Sequence, residues 1–294
     1  MNMTNSHMVT PHVSQQGKVW FITGASTGFG RLLAEQLLAD GANVIATARK
    51  PEQLTDLTTK YAANVQILPL DVTSQSQIDA AVKDALARFG HVDVLVNNAG
   101  YGVNGAIEEV SADEFMPMFN TNVFGLIAVT KAFLPQFRAR RSGNIVNLSS
   151  IGGLIGMPGW GYYNATKFAV EGLSMALAGE LEPLGVHVTV VEPGAFRTDF
   201  LGRSGQEAAV VISDYTPTAG LARQYLQTQS GKQPGNPQRA VEAIIVAVSA
   251  PKPPKHLVLG KTALKRWKTR LAEWETELAE WESTTAGADF PEGQ

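Results

Sequence analysis

Short, uniformly apolar runs alternate with longer segments of helical periodicity from residue 18 onward. Runs that are apolar throughout, rather than alternating apolar with polar, are typical of strands in a parallel sheet covered by helices on both faces. The sequence therefore predicts an α/β fold: a single doubly wound, Rossmann-type domain of about seven parallel strands, with ligands bound at the carboxyl edge of the sheet. The strands are predicted at 19–23, 43–48, 65–70, 92–97, 144–149, 186–191 and 256–259.

The segments between these runs have the periodicity and the end signals of helices. Ser74-x-x-Gln77 and Ser111-x-x-Glu114 have the spacing of capping boxes, in which the last side chain binds the backbone N–H of the first residue. Helices are predicted from about Gly28 to Ala39, after Pro51, after Ser74, from about Ser111 to Arg140, and near 161–184 and 237–249.

The composition favours a small-molecule substrate. The net charge is -3 and hydrophobic residues make up 44%, so neither nucleic acid nor an anionic membrane is an expected partner. There is no cysteine, and the five histidines lack the spacing of metal ligands, so we predict no metal. Residues 1–16 are polar and predict a disordered N-terminal tail rather than a signal peptide. No run approaches the ~18 apolar residues of a membrane span, and the expected location is cytoplasmic.

The first strand leads directly into TGASTGFG, residues 23–30. Between a strand and a helix, Gly24 permits a tight turn, while Gly28 and Gly30 let a pyrophosphate approach the helix N-terminus, whose free N–H groups attract anions. The spacing G-x-x-x-G-x-G differs from the G-x-G-x-x-G of the standard dinucleotide motif. The alternative is a purely structural turn, which the flanking strand and helix disfavour.

The second strand ends in Ala48, Arg49 and Lys50, where a dinucleotide site places a group beside the adenosine ribose. An acidic side chain there binds a 2′-hydroxyl, whereas positive charge suits a 2′-phosphate. We therefore expect NADP(H) in preference to NAD(H). The alternative is that Arg49 and Lys50 are solvated surface charges.

The stretch YYNATK, residues 162–167, places two tyrosines near a lysine. In a helix, Tyr163 and Lys167 share a face because residues four apart are neighbours, whereas Tyr162 is turned away from the lysine. A nearby ammonium group stabilises a phenolate, so the pKa of Tyr163 is expected below its ordinary value near 10. Tyr163 would then act as an acid or base near neutral pH. The alternative is an ordinary surface pair.

Seven motifs in order resemble those of the short-chain dehydrogenase/reductase family over residues 18–260. The resemblance implies a catalytic tetrad of Asn122, Ser150, Tyr163 and Lys167. The family's serine lies thirteen positions before its tyrosine, which selects Ser150 over the preceding serine, and the pattern N-x-x-G selects Asn122 over Asn120. The motifs are TGASTGFG (23–30), Asp71 in LPLDV, NNAG (97–100), Asn122 in NTNVFG, Ser150 after NIVNLS, YNATK (163–167) and PGAFRT (193–198).

The resemblance also implies what each residue does. Ser150 binds the substrate carbonyl, Tyr163 transfers the proton, Lys167 binds the nicotinamide ribose and tunes the tyrosine, and Asn122 holds a water that links Lys167 to solvent. One departure is Phe29, where the family commonly has a smaller aliphatic residue. The implied cofactor contacts are Gly24, Ser26, Thr27, Gly28, Phe29, Gly30, Arg49, Asp71, Val72, Asn98, Ala99, Gly100, Tyr163, Lys167, Pro193, Gly194, Phe196 and Thr198.

A long segment, residues 195–236, follows the predicted sixth strand and contains several prolines and glycines. Its length favours a lid over the substrate, with a peripheral insertion as the alternative. We expect an apolar, aromatic pocket for a hydrophobic ketone, aldehyde or secondary alcohol, because no paired cationic groups point to a phosphorylated substrate. The predicted pocket residues are Leu154, Met157, Trp160 and Phe200.

Residues 261–294 predict an amphipathic helix and tail beyond the domain of residues 17–260. Its apolar stripe is expected to pack on its own domain. The alternative is an inter-subunit contact, in which the basic first half of one helix meets the acidic second half of an antiparallel neighbour. We expect a homo-oligomer, either a dimer or a tetramer. The stripe consists of Leu264, Trp267, Leu271, Trp274, Leu278 and Trp281.

Together these features predict an NADP(H)-dependent oxidoreductase that interconverts a hydrophobic ketone or aldehyde and the corresponding alcohol. One alternative is an NADP(H)-binding sensor without turnover, which has no need of a complete tetrad. Another is an epimerase or dehydratase on the same fold, which the spacing of the glycines disfavours.

Overall fold

The computed structural model describes residues 13–290 and is built around a parallel sheet. Within this range the strands are β1 (Val19–Ile22), β2 (Asn43–Ala48), β3 (Val65–Pro69), β4 (Val94–Asn97), β5 (Gly102–Asn104), β6 (Gly143–Leu148), β7 (Val186–Pro193), β8 (Gly205–Glu207) and β9 (His256–Leu259). The main sheet has seven strands in the order β3-β2-β1-β4-β6-β7-β9. The order reverses between β1 and β4, and such a switch point is where doubly wound sheets bind ligands. The predicted fold is confirmed.

Helices cover both faces of this sheet. They are α1 (Gly28–Ala39), α2 (Thr55–Tyr61), α3 (Gln75–Phe89), α4 (Ala112–Phe119), α5 (Leu126–Arg140), α6 (Gly161–Leu181), α7 (Ala219–Gln229), α8 (Pro237–Ser249) and α9 (Lys261–Ala286). None of the helices in the described range is long and apolar enough to cross a bilayer.

Adjacent residues of β1 belong to different hydrophobic cores. Trp20 and Ile22 pack with residues of α1, α2 and α8 on one face. Val19 and Phe21 pack with residues of α3, α5 and α6 on the other. Because a strand with helices on both sides buries successive side chains in opposite directions, every position of the run is apolar.

The predicted helical stretch from Ser111 to Arg140 is interrupted. Asn120–Gly125 forms a π-helical segment between α4 and α5. A Cβ atom at Gly125 would lie 2.9 Å from the carbonyl oxygen of Val72, so the chain passes close to the loop after β3. The wider turn places Asn122 inside the protein, where it is 1% exposed.

One of the two predicted capping boxes is present. The Glu114 carboxylate accepts a hydrogen bond from the backbone N–H of Ser111 at 2.8 Å. At the start of α3, however, the Ser74 side chain makes no cap, and Gln77 Oε1 accepts from the backbone N–H of Asp71 at 2.7 Å. The prediction of a capping box at Ser74 and Gln77 is therefore wrong, and Gln77 instead stabilises the turn after β3.

Three elements were not predicted: β5, β8 and α7. The two strands pair with each other in parallel, outside the main sheet. Strands of three residues are too short to show a periodic pattern. This pairing joins the loop after β4 to the segment of residues 195–236, which also contains α7.

The predicted N-terminal tail lies largely outside the described residues, which begin at residue 13. Its last residues pack on the domain, contrary to the prediction. Gln15 is fully buried, and its Nε2 donates to Ser249 Oγ at 2.9 Å. Residues 13–16 are thus held against the end of α8.

Candidate active site

Glycines shape the turn after β1 at the carboxyl edge of the sheet. Gly24 and Gly28 have φ angles of +65° and +58°, which glycine adopts without strain. A Cβ atom at Gly30 would overlap the side-chain nitrogen of Asn98 and lie 2.6 Å from the Gly24 carbonyl oxygen. Asn98 Nδ2 donates to the carbonyl oxygens of Thr23 and Gly24, each at 2.9 Å. Asn98, one of the implied cofactor contacts, therefore holds the glycine turn in shape.

The N-terminus of α1 is open to an anion. Its N-cap residue, Thr27, makes no side-chain cap, and the first turn contains no acidic residue. Unpaired N–H groups and the positive end of the helix dipole therefore meet at the cleft. Phe29, the departure from the family pattern, packs edge-on against Phe196, with 5.4 Å between ring centroids. The larger side chain is accommodated between α1 and the loop after β7.

The end of β2 presents Arg49 to the same cleft. Its side chain is exposed, lines the cleft and makes no hydrogen bond or ion pair within residues 13–290. Asp71, after β3, lines the same cleft, and its Oδ1 accepts from the backbone N–H and hydroxyl of Thr73. Asp71 is thereby oriented, whereas Arg49 has a guanidinium group available for a ligand.

Tyr163 and Lys167 lie on one face of α6, as their spacing predicts, and each is 7% exposed. Lys167 Nζ donates to the carbonyl oxygen of Leu148 at 2.7 Å and lies 5.8 Å from the centroid of the Tyr163 ring. Tyr162 turns away and stacks on Phe115, with 4.3 Å between ring centroids. Tyr163 is therefore the tyrosine that faces the cleft together with the lysine.

Burial dominates the acidity of this pair. It raises the pKa of Tyr163 to about 12, and the hydrogen bond to Ser150 only partly opposes this effect. Burial also lowers the pKa of Lys167 to about 8, while the nearby charge of Glu171 acts to raise it. The expected lowering of the Tyr163 pKa is wrong, because burial of the phenol outweighs the influences that would lower it. At neutral pH Tyr163 is thus a protonated phenol, which is a proton donor.

The two serines after β6 have different surroundings. Ser150 Oγ accepts from the backbone N–H of Gly152 at 3.0 Å and interacts with the Tyr163 hydroxyl. Ser149 is buried near Glu171, and its hydroxyl has no hydrogen-bond partner within residues 13–290. Ser150 is therefore the serine beside the tyrosine, as the family spacing implies.

Asn122 lies beneath the cleft rather than in its wall. Its Oδ1 accepts from the backbone N–H of Tyr101 at 3.0 Å, and its Nδ2 donates to the Tyr101 carbonyl oxygen at 2.8 Å and to Thr166 Oγ1 at 3.1 Å. These bonds tie the loop after β4 to α6, beside Lys167. The neighbouring residues Asn120 and Thr121 line the cleft instead.

Behind Lys167 lies a cluster that no local spacing indicated. Glu171 and Glu192 are buried, and His256 Nδ1 lies 2.7 Å from Glu192 Oε1 and 3.7 Å from Glu171 Oε2. Burial raises the pKa of Glu171 to about 7, and the hydrogen bond to Glu192 raises the pKa of His256. The three side chains come from α6, β7 and β9, so only the folded sheet brings them together. Absence of a metal remains a prediction.

A cleft of about 1690 Å³ runs from the glycine turn past Tyr163 to α9. Pockets for small molecules usually measure about 300–1,000 Å³, so this cleft has room for a dinucleotide and a second molecule. All the predicted cofactor residues line it except Gly30, which lies within the turn. The residues present thus fit a dinucleotide: a glycine cradle, an open helix N-terminus and a free arginine.

Beyond Tyr163 the cleft is aromatic and apolar. The rings of Trp160 and Phe200 lie 5.7 Å and 5.5 Å from the Tyr163 ring. Met157 also lines this end, as predicted. Leu154 does not line it and is half-buried elsewhere. Three further lining residues, Leu221, Ala222 and Tyr225, belong to the segment that was predicted to cover the substrate. Tyr101 and Ile155 also line this end and were not predicted, because their loops reach the cleft only through the tertiary fold.

The mouth of the cleft carries cations that the sequence analysis did not place there. Arg203, from the segment after β7, and Lys265 and Arg266, from α9, line this region. Arg266 Nη1 lies 3.6 Å from the sulfur of Met157. Among residues 13–290 none of these three cations has an acidic partner. Helix α9 thus brings two cations to a region where the sequence did not predict any.

Comparison with known proteins identifies the family. A family model described as short chain dehydrogenase matches residues 18–209. The chain belongs to the short-chain dehydrogenase family. Members of this family are oxidoreductases that act on CH–OH and C=O groups with an NAD(P)(H) nucleotide, which agrees with the cradle and the buried phenol described above.

Two curated relatives support this membership. Oxidoreductase BOA17 of Botryotinia fuckeliana is 40% identical over 250 residues, which span 84% of this chain and 90% of the relative. The 3-ketodihydrosphingosine reductase of Bacteroides thetaiotaomicron is 37% identical over 246 residues, spanning 83% of this chain and 88% of the relative.

Solved structures of the family share the fold. A short-chain dehydrogenase from Streptomyces avermitilis is 44% identical, with a TM-score of 0.88 over 94% of this chain and 100% of that one. A family member from Burkholderia phymatum, solved with NAD, is 27% identical, with a TM-score of 0.79 over 90% and 97% of the two chains. A serine dehydrogenase solved with NADP+ is 28% identical, with a TM-score of 0.71 over 82% and 94%. The family thus uses both nucleotides.

Proposed function

We propose that this short-chain dehydrogenase is an NADP(H)-dependent reductase of hydrophobic ketones or aldehydes, with Tyr163 as the general acid. The observation that carries the proposal is the position of Tyr163. Its buried, protonated phenol lies where the dinucleotide cleft meets the aromatic pocket. A group placed between hydride source and carbonyl is in position to supply the proton that reduction requires.

Each side chain of the site has a separate role in the proposed reaction. When bound, the nicotinamide supplies the hydride. Ser150 donates a hydrogen bond to the substrate carbonyl, and Tyr163 donates its hydroxyl proton to the same oxygen as negative charge develops there. The ammonium group of Lys167 stabilises the phenolate left behind. Asn122 fixes the loop after β4 against α6 and so holds the floor of the site in place.

Arg49 supports the preference for NADP(H). It is an exposed cation at the carboxyl end of β2, it lines the cleft, and it has no partner within residues 13–290. Its planar guanidinium group matches the oxygens of a phosphate, whereas a ribose hydroxyl gains more from a carboxylate. We therefore assign Arg49 to the 2′-phosphate.

The pocket and one relative point to the class of ketone. Met157, Trp160 and Phe200 form an apolar wall for an alkyl chain, while Arg203 and Arg266 at the mouth suit a polar or anionic end. A relative that shares 37% identity is named for the reduction of 3-ketodihydrosphingosine, a ketone. We infer that the substrate carries its keto group near a polar end and an apolar chain beyond it.

The segment of residues 195–236 is proposed to act as the substrate lid. Phe200, Leu221 and Tyr225 of this segment line the cleft. The buried carboxylate of Glu109 holds the segment by accepting from the backbone N–H of Ile212 at 2.8 Å and from Arg223 at 2.9 Å. The segment is thus attached to the loop after β5 and is long enough to move around that attachment.

The experiment that tests this function compares two adjacent tyrosines. Oxidation of NADPH is followed with a panel of 3-keto compounds of increasing chain length, for the wild type, Tyr163→Phe and Tyr162→Phe. Tyr163→Phe should lower kcat by about 100-fold or more, the usual contribution of a general acid, while NADPH affinity is retained. Tyr162→Phe keeps the ring that stacks on Phe115 and should leave kcat unchanged. Full turnover by Tyr163→Phe would refute the assignment, and tight NADPH binding without any turnover would favour a sensor.

A further inference from the structure

Helix α9 leaves the domain after its first three turns. Ala263 is buried, and Trp267 and Arg270 are half-buried. Every residue of α9 from Leu271 to Ala286 is exposed. At 1.5 Å per residue, this outer part extends for about 24 Å. The expected packing of the whole stripe on its own domain is therefore wrong, because only the first turns touch the domain.

The exposed outer part has few contacts that stabilise it as an isolated helix: Arg270 lies 3.3 Å from Glu273 and 3.8 Å from Glu277 of the same helix. Helices of this length are marginal in water, and the charge order opposes the helix dipole, which favours acidic residues first and basic residues last. In α9 the basic residues precede the acidic ones. The basic residues are Lys261, Lys265, Arg266, Lys268 and Arg270, and the acidic residues are Glu273, Glu275, Glu277, Glu280 and Glu282. A partner with the opposite charge order would remove this penalty.

An apolar stripe runs along the whole length of the exposed helix. Trp274 and Leu278 are 42% and 65% exposed, and Trp281 is 62% exposed. Large apolar side chains in a continuous stripe mark an interaction surface more often than a solvated one. Towards the domain, Leu264 and Leu271 remain 45% and 39% exposed, so the stripe is open over both halves of the helix.

The order of residues in the stripe is self-complementary. When a second α9 is turned end for end about the midpoint between residues 272 and 273, every leucine of the stripe faces a tryptophan. The layers are Leu264 with Trp281 of the second copy, Trp267 with Leu278, and Leu271 with Trp274, each occurring twice. Alternating large and smaller side chains across an interface lets the layers interdigitate.

The charges beside the stripe obey the same two-fold symmetry. In heptad terms the leucines occupy position a and the tryptophans position d, so an antiparallel pair brings Lys268 against Glu275 on one flank and Arg270 against Glu277 on the other. A parallel pair would keep one favourable contact, Arg270 against Glu275, but would bring Glu277 against Glu282 and stack tryptophan on tryptophan. Charge and size therefore both select the antiparallel arrangement.

We propose that α9 is a dimerisation helix that pairs antiparallel with α9 of a second copy of this chain. The contact is isologous, since the same stripe serves both copies. Arg266 and Thr269, which line the cleft, lie on the helix side away from the stripe, whereas Arg270, which also lines the cleft, lies on the flank of the contact.

The first test measures mass by analytical ultracentrifugation of the full chain. Leu271→Glu/Leu278→Glu places charges in the stripe and should halve the mass of the assembly, whether the wild type is a dimer or uses further contacts to form a tetramer. Thr276→Glu adds a like charge on the opposite face of α9 and should leave the mass unchanged. Both substitutions lie beyond the domain contact, so circular dichroism should show that the domain remains folded. An unchanged mass for the stripe variant overturns the proposal.

The second test establishes orientation. Lys268→Glu and Glu275→Lys should each weaken association, and the double variant should restore it, because the exchanged charges meet again across an antiparallel pair. Since the chain has no cysteine, single cysteine substitutions can also test the orientation of the two helices by disulfide formation. A mixture of Leu264→Cys and Trp281→Cys proteins should form a mixed disulfide on oxidation, while Leu264→Cys alone should not. A disulfide formed by Leu264→Cys protein alone would overturn the proposal. Binding of the wild type to neutral phospholipid vesicles, together with an unchanged mass of the assembly in the stripe variant, would also overturn it.

Discussion

Replacement of Gly30 by alanine tests the glycine turn most directly. A Cβ atom at this position would overlap the Asn98 side-chain nitrogen and lie 2.6 Å from the Gly24 carbonyl oxygen. Displacing the Asn98 amide breaks its two hydrogen bonds of 2.9 Å, at about 0.5–1.5 kcal/mol each. Overpacking adds about 1–3 kcal/mol. We expect Gly30→Ala to lower the free energy of unfolding by about 2–6 kcal/mol.

The same substitution should weaken the binding of the nucleotide. Gly24 belongs to the turn that is predicted to bind the pyrophosphate. A displaced turn would separate the α1 N-terminus from the phosphates, so NADPH affinity should fall by about tenfold or more. Urea unfolding and NADPH fluorescence titration measure the two effects. The control is Gly179→Ala in α6, where no atom lies within 4 Å of the added Cβ and where alanine should stabilise by about 0.5–1 kcal/mol. Wild-type stability and affinity for Gly30→Ala would refute the described packing.

Three further substitutions test other parts of the site. Arg49→Ala should weaken NADPH binding by about 10- to 100-fold, which corresponds to the loss of one charge-assisted hydrogen bond of about 1.5–3 kcal/mol. Binding of NADH should be unchanged when the variant is titrated with each nucleotide. Burial acts to raise the pKa of Glu109, but the N–H groups of Ile212 and Ala106 and the charge of Arg223 outweigh it and lower that pKa. The stability that Glu109 contributes is therefore present above its ordinary pKa of 4.5 and is lost as the pH falls. Glu109→Gln should reduce the loss of stability at acid pH, measured by urea unfolding, and should raise KM by loosening the lid. Burial raises the pKa of Glu171 from 4.5 to about 7, so the wild type should lose stability as the pH rises from 4.5 to about 7. Glu171→Gln should abolish this loss, measured by urea unfolding at each pH.

Local spacing was sufficient to predict the sheet and the central pair of the site. The strands are apolar at every position because two cores divide their side chains, as Trp20 and Phe21 show. Tyr163 and Lys167 are four residues apart in one helix, so the helix geometry alone places them side by side. The position of the glycine turn was likewise predicted from the strand before it and the helix after it, but the hydrogen bonds from Asn98 that hold the turn come from the distant loop after β4.

Features that depend on distant contacts could not be predicted in this way. The cluster of Glu171, Glu192 and His256 is formed by one helix and two strands that are neighbours only in the folded sheet. Arg266 reaches the cleft mouth because α9 packs on the loop after β7, where Ala263 contacts Gly194. No periodicity within a single segment carries information about such an approach.

The acidity of Tyr163 failed as a prediction for a related reason, and the failure bears on how Lys167 acts. Spacing gives the position of a charge, but the pKa also depends on lost hydration, and burial here raises the pKa of the phenol to about 12. If Tyr163 gives up its proton during reduction, the phenolate remains in the same buried place, where attraction to the Lys167 ammonium is stronger than in water. The environment that keeps the phenol protonated beforehand therefore strengthens the ion pair formed afterwards. In the proposed reduction the contribution of Lys167 is therefore expected to be largest after proton transfer, and its bond to the Leu148 carbonyl would keep the ammonium group in place for that step.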